Sequence, residues 1–205
     1  MLRVAHRVEN GASGHDRVLV EYCGDRTFAI VADGAGGMGG GAVAAEMTCS
    51  LAAEMMRTSP LASPAAWERR LLDIDRALVR HASGGQCTAV AVELSGKRVI
   101  GASVGDSGAW LLDGPVARDL TKLQHRKPLL GSGEASPLGF GPVDMSGLLL
   151  LATDGLLKYA KHHDVVRQVR GVPLDVAIDN LVAGLRLRSG ALQDDVGIVL
   201  LEDSA

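Results

Sequence analysis

The sequence predicts an α+β fold in which two packed antiparallel sheets are covered by helices. Three observations lead there. The elements run strands, helices, strands, loop, strand, helices, strand. Helices therefore do not alternate singly with strands, which disfavours a parallel doubly wound sheet. Next, 47% of the 205 residues are hydrophobic, yet only two each are Trp, Tyr and Phe. The core must be aliphatic, and the 26 glycines follow no Gly-X-Y period of a fibrous chain. Last, a chain of this length buries about 70% of its unfolded surface. No repeat or internal boundary divides it, so one domain over residues 1–205 is expected.

Each element has its own signal. Residues 2–8 alternate weakly and suit an edge strand. RVLVEY (17–22) and RTFAIVA (26–32) read as two strands around the turn Cys23-Gly24-Asp25. A glycine-dense segment, residues 33–41, opens into an Ala/Met/Leu-rich helix over about 42–57. Ser59-Pro60 and Ser63-Pro64 break that helix. Ser63 is placed to cap a second one, with Pro64 at its first position, to about residue 82. Residues 86–94, 98–104 and 107–112 read as three strands of an antiparallel meander, joined at Ser95-Gly96 and Gly105-Asp106. Residues 113–146 are rich in Gly-Pro, Lys-Pro and Ser-Pro pairs and read as a loop region. A strand at 147–153 leads through Asp154-Gly155 into a short helix. Helical spacing follows at 162–170 and 173–188, and a strand closes the chain at 196–201.

Charge and cysteines exclude several classes. The net charge is −3 and no Lys/Arg run stands out, so nucleic acid is not an expected partner. Cys23, Cys49 and Cys87 are odd in number and far apart, which fits neither a disulfide framework nor zinc. MLRVAHRVENGASGHD holds no apolar segment of a signal peptide, and no run reaches the length of a membrane span. A bacterial-type cytoplasmic protein is the expectation, with no membrane partner.

The acidic residues share one local grammar. Asp33 follows FAIVA, Asp106 follows IGASVG and Asp154 follows LLLLAT; Asp194 precedes VGIVLLE and Asp16 precedes RVLVEY. A carboxylate at the end of a buried strand is costly to desolvate without compensation. Any one of them suits a turn or a helix cap. If five strand ends converge, their repulsion calls for a counterion, and hard oxygen ligands select Mg²⁺ or Mn²⁺. Six glycines lie within residues 34–41. This segment lacks the Lys-Ser/Thr end of a phosphate-binding loop. A flexible loop is one reading of it; a backbone that approaches a metal beside Asp33 is another.

Five ordered segments carry a resemblance. VADGAGGMGGGAVAAEM resembles the DGxGG segment of the metal-dependent protein phosphatases (the PPM family, type 2C). GQCTAVAVEL resembles that family's Gly-(Ser/Cys)-Thr-Ala strand, IGASVGDSGAWLL its GDS strand pair, LLLLATDGLLKYA its SDG strand and helix, and QDDVGIVLLE its final strand. Together with Asp16 they span residues 16–202. The resemblance implies a four-layer αββα sandwich, in agreement with the element order.

It also implies roles. Asp33 matches an aspartate that bridges two metal ions, and Gly34 a backbone carbonyl contact to the second. Asp154 and Asp194 match ligands of the first metal, with Asp195 where Asn is common. Asp106 matches an aspartate that helps to hold a third ion in some members. Asp16 falls near the acidic pair of the first motif, where GASGHD replaces Asn-Glu-Asp. Ala35 stands where many members have a general-acid His, for which His15 is a possible substitute. Gly108 replaces the Arg of GDSR. No clear counterpart exists for a phosphate-contacting arginine, and Arg7 and Arg17 are the nearby candidates. Lys122, His125, Arg126 and Lys127 sit on the short flap-like loop, about 113–146, and could guide a phosphorylated substrate.

The function so implied is hydrolysis of phosphoserine and phosphothreonine in proteins by a water activated at two Mn²⁺ or Mg²⁺ ions. The expected partner is a phosphoprotein, opposed to a Ser/Thr kinase, and a monomer is favoured. The alternatives are a catalytically weak member that binds phosphoproteins as a regulator, or a phosphatase dedicated to one regulatory partner.

Overall fold

The computed structural model describes residues 2–11, 13–35, 39–58 and 63–203. In chain order the elements are β1 (Leu2–Glu9), β2 (Arg17–Cys23), β3 (Arg26–Ala32), α1 (Gly41–Thr58), α2 (Pro64–Arg80), β4 (Ala89–Ser95), β5 (Arg98–Val104) and β6 (Gly108–Asp113). They continue with β7 (Val116–Asp119), β8 (Leu138–Asp144), β9 (Leu148–Ala152), α3 (Asp154–Leu157), α4 (His162–Val169), α5 (Leu174–Leu185) and β10 (Val196–Asp203).

These strands make two five-stranded antiparallel sheets, ordered β1-β10-β9-β6-β7 and β2-β3-β4-β5-β8. Side-chain alternation sorts the core into three layers. On β3, Ala29 and Val31 face the other sheet, while Phe28, Ile30 and Ala32 face α1 and α2. On β9, Leu149 and Leu151 point between the sheets; Leu148 and Leu150 point to α4 and α5. Successive residues of a strand point to opposite faces, so a strand covered on both must be apolar throughout. That is why FAIVA and LLLLA are unbroken apolar runs. The result is the four-layer αββα sandwich expected of the sequence. Phe28 stacks on Trp67 of α2, with ring centroids 5.5 Å apart, which seats that helix on its sheet. Ser63 caps α2 as anticipated, its hydroxyl accepting from the Ala66 amide at 3.2 Å.

Three expectations need correction or completion. The strands at 86–94, 98–104 and 107–112 are not one meander. The first two pair as β4 and β5, but β6 belongs to the opposite sheet. Gly105, at φ +83°, turns the chain out of one sheet, and Gly105–Ser107 carry it across to the other. Stacked sheets lie about 10 Å apart, so three residues suffice. The region 113–146 is not all loop. It holds β7, which forms a hairpin with β6, and β8, an edge strand on β5. Gly139, Gly141 and Pro142 weaken the signal of β8, and an edge tolerates them. Finally, the break at Ser59-Pro60 and the residues Gly36, Gly37 and Met38 of the glycine segment lie outside the described residues.

Pairing registers place the strand ends next to Asp16, Asp33, Asp106, Asp154 and Asp194 on one side of the molecule. Arg17 pairs with Ala32, Val31 with Val90, and Ala89 with Val104. In the other sheet Ala152 pairs with both Ile198 and Gly108. Asp16, Asp33, Asp106, Asp154 and Asp194 therefore all emerge at the same end of the sandwich.

Candidate functional site

Two hydrogen-bonded clasps join the sheets at this end. Asp16, only 1% exposed, accepts from the Thr153 hydroxyl at 2.7 Å, and that hydroxyl accepts from the Gly197 amide at 2.9 Å. On the other side, the hydroxyls of Thr88 and Ser107 share a hydrogen bond at 2.6 Å. Thr88 also binds both polar groups of the Asp33 backbone: its amide donates to the Asp33 carbonyl at 2.8 Å, and its hydroxyl accepts from the Asp33 amide at 3.2 Å. Asp33 is thus held by the strand that follows it in the sheet.

Glycines allow the close approaches. A Cβ on Gly34 would fall 2.3 Å from the Gly41 carbonyl oxygen, so only glycine lets the chain fold back from Asp33 onto the start of α1. A Cβ on Gly155 would fall 1.8 Å from the Asp195 carbonyl oxygen. Asp154 therefore sits beside the 194–195 turn only because glycine follows it.

The electrostatics follow from this crowding. Burial pushes the Asp16 carboxyl up to about 8, and the charge of Asp33 adds to it, against the Thr153 hydrogen bond. Burial raises Asp33 to about 6, reinforced by Asp154, while a hydrogen bond from Asp16 holds it down. The two carboxyls are therefore coupled, and burial with mutual repulsion disfavours ionising both at once. Asp154 is raised by burial and then by Asp106 and Asp194. Asp195 behaves oppositely. Burial pushes it up, but the amides of His15, Gly14 and Gly11 and the Ser13 hydroxyl hold it below the ordinary value. It accepts from Gly11 at 2.7 Å, Ser13 at 2.8 Å and His15 at 2.7 Å. It anchors Gly11, Ser13 and His15 and so delivers Asp16.

Asp33, Asp106 and Asp154 line one cavity of about 440 Å³, together with Ala35, Thr88, Arg126, Lys127 and Leu129. Among the described residues, no three His, Cys, Asp or Glu side chains already stand as a closed ligand set. The carboxylates instead face a shared opening. Their chemistry suits a hard divalent cation: every donor is oxygen, and carboxyls this close need added positive charge to ionise together. Among the described residues that line the cavity there is no His or Cys, zinc's usual nitrogen and sulfur donors.

The two arginine candidates lie elsewhere. Arg7 pairs with Asp179 of α5 at 2.6 Å, on the helix-covered face of its sheet. Arg17 binds Glu46 of α1 at 2.7 Å and the carbonyls of Gly14 and Asp16. Neither lines the cavity, because alternation along β1 and β2 turns both toward the flanking helices. Of the loop cations, Arg126 and Lys127 reach the cavity, while Lys122 lines a neighbouring recess. His15 holds its place through its backbone; its ring Nδ1 is buried without a hydrogen-bond partner. Thr88, Thr153, Ser107 and Asp195 are supporting residues that the strand-end rule does not single out. All four stand inside or beside the segments that carry the resemblance.

No family model and no curated protein sequence matches the chain. Solved structures do. The serine/threonine phosphatase Stp1 from Staphylococcus aureus aligns over 100% of this chain and 96% of its own, at TM-score 0.84 and 19% identity. A serine/threonine phosphatase from S. agalactiae aligns over 100% of both chains, at 0.85 and 18%. The catalytic domain of the serine/threonine protein phosphatase PstP, in complex with two manganese ions, aligns over 98% and 97%, at 0.81 and 21%. The chain has the fold of these phosphatases.

Proposed function

We propose that this chain is a metal-dependent phosphatase acting on phosphoserine and phosphothreonine in proteins. One observation carries the reading: Asp33, Asp106 and Asp154 converge on a single cavity that two cations, Arg126 and Lys127, also line. An acidic cluster alone repels a phosphate dianion. A cavity that can gather divalent cations on one wall and holds fixed cations on another accommodates it.

Asp33, the Gly34 carbonyl, Asp154 and Asp194 would hold two ions, with Asp16 and Asp106 beside them. Mn²⁺ and Mg²⁺ both suit such donors, and a third ion at Asp106 is part of the proposal. When bound, such ions acidify water and offset the charge on phosphoryl oxygens. The chain's own residues do the rest. Thr88 orients Asp33, Thr153 orients Asp16, and Gly155 brings Asp154 against the turn that carries Asp194. No protein nucleophile is required. Cys49 and Cys87 are buried, and burial pushes both thiols far above neutrality, so neither serves as one. The substrate would be a phosphoprotein, opposing a Ser/Thr kinase, acted on by a monomer in the cytoplasm. The PstP manganese complex supports the choice of metal.

The test uses p-nitrophenyl phosphate and a phosphothreonine peptide, each with Mn²⁺ and with EDTA. Turnover that needs Mn²⁺ is expected, and it removes the reading as a binding-only regulator. Asp33→Asn should abolish turnover with the fold intact; full Mn²⁺-dependent activity in that variant would overturn the assignment.

A further inference from the structure

We infer that Arg126 is the cation that grips the substrate's phosphate at this site. The inference rests on the phosphatase reading and adds a residue to it. Arg126 lines the main cavity beside Asp33, Asp106 and Asp154. It also lines an adjoining recess of about 280 Å³ with Leu157 and Lys158. It therefore stands at the mouth through which a phosphorylated side chain would enter.

At present the guanidinium rests on Asp106. Its Nε and Nη2 both lie 2.7 Å from the same oxygen, Asp106 Oδ2. Two donors thus converge on one acceptor, and the fork geometry of arginine is used incompletely. Arginine's parallel donors match two oxygens of a phosphate better. The Arg126 side chain is 75% exposed, and pairs this exposed contribute little to stability. The guanidinium can exchange Asp106 for an incoming dianion at small cost.

The arm that carries Arg126 is fixed. Leu130 and Cys87 exchange two backbone hydrogen bonds, at 3.0 and 3.1 Å, and Cys87 bridges in turn to Gly34. Buried Asp75 of α2 accepts from the amides of Gly131 at 2.7 Å and Gly133 at 3.1 Å. The arm is therefore tied on one side to the strand end of Asp33 and on the other to a helix. Binding through a pre-ordered arm avoids most of the ordering cost. Arg7 and Arg17 cannot play this part without giving up Asp179 and Glu46.

The experiment measures equilibrium binding of inorganic phosphate to the full chain by calorimetry in Mg²⁺, alongside kcat and KM for p-nitrophenyl phosphate. Arg126→Ala should weaken phosphate binding and raise KM by roughly 10- to 100-fold, the range of a lost charged hydrogen bond. Arg126→Lys should recover part of that loss. Arg7→Ala and Arg17→Ala should bind phosphate within about threefold of the wild type, below the effect of one charged hydrogen bond. Thermal unfolding of each variant separates loss of binding from loss of fold. If the wild type turns over and Arg126→Ala binds phosphate equally well, or if Arg17→Ala causes the loss, this assignment alone fails. If the wild type neither hydrolyses the ester nor binds phosphate, the phosphatase reading fails with it.

Discussion

Thr153 and Asp16 stand 137 residues apart in the chain, yet the Thr153 hydroxyl donates to Asp16 Oδ2 at 2.7 Å, from one sheet to the other. The same oxygen atom of Thr153 takes the Gly197 amide. One side chain thus satisfies a buried carboxyl and a buried strand amide.

Thr153→Val keeps the shape and removes the hydroxyl. It should destabilise the protein by roughly 1–3 kcal/mol, the cost of leaving buried polar groups unpaired. Thr153→Ser should lose markedly less. Urea unfolding of the three proteins in EDTA decides it, and equal midpoints for Val and wild type would refute the clasp.

The Asp16–Asp33 pair predicts an unusual pH dependence. Both folded-state values, about 8 and about 6, lie above the ordinary carboxyl value of 3.8. A raised carboxyl binds its proton more tightly when folded. Its stabilising contribution is complete below pH 3.8 and is lost as pH climbs through the folded values. Metal-free protein should therefore lose stability from this pair as pH climbs from about 4 to about 9. Asp16→Asn should flatten that fall, and saturating Mg²⁺ should offset it by binding the ionised folded form. Denaturant midpoints across pH in EDTA test the sign; stability that rises through this window in Asp16-dependent fashion would contradict it.

Gly155→Ala is expected to be among the most damaging single-methyl changes in the chain. Its Cβ would sit 1.8 Å from the Asp195 carbonyl oxygen, so backbone must move. A loss of about 3 kcal/mol or more is expected, at the upper end for overpacking. Weaker metal binding should accompany it, because the displaced turn carries Asp194. Calorimetric Mn²⁺ titration reads the second effect.

Asp75 lies far from the carboxylate cluster in sequence and on a helix, yet it should affect substrate binding. Both amide bonds from Gly131 and Gly133 end on Oδ1. Asp75→Asn keeps an oxygen there and should be mild. Asp75→Ala should cost about 1–3 kcal/mol of stability and raise KM more than it lowers kcat. Equal kinetics for Asn and Ala would show that the arm does not need its tether.

How far the sequence discloses all this differs by residue. Asp33, Asp106 and Asp154 are legible because each ends an apolar strand and meets glycine within one residue. The alternation that fills both faces of β3 and β9 makes those strands plain. The crossing at Gly105–Ser107 is not legible, since Gly-Asp looks the same in a tight hairpin as in a passage between sheets. Asp194 and Asp195 are adjacent and chemically identical. Only the amides of Gly11 and His15 and the Ser13 hydroxyl separate the buried anchor from its half-buried neighbour. Arg126 is one of four basic residues on a loop, and nothing local says that its side chain finds Asp106. Arg7 and Arg17 lie near the first motif in sequence, but strand alternation points them at helices.

The pairing of β1 with β10, Leu2 opposite Asp203 through Glu9 opposite Val196, has a consequence for how this protein comes into being. Among the described strands β1 comes first, and it finds its neighbour only when β10, the last of them, is in place. Until then one sheet lacks its second strand, the Gly11–Asp195 anchor cannot close, and Asp16 has no fixed station. A chain without β10 keeps the sheet in which Thr88 holds Asp33, but it lacks the Gly197 amide that donates to the Thr153 hydroxyl beside Asp16. Such late closure of distant contacts slows folding. It also means that the Asp195 anchor and the Thr153–Gly197 link form together, when β10 docks between β1 and β9.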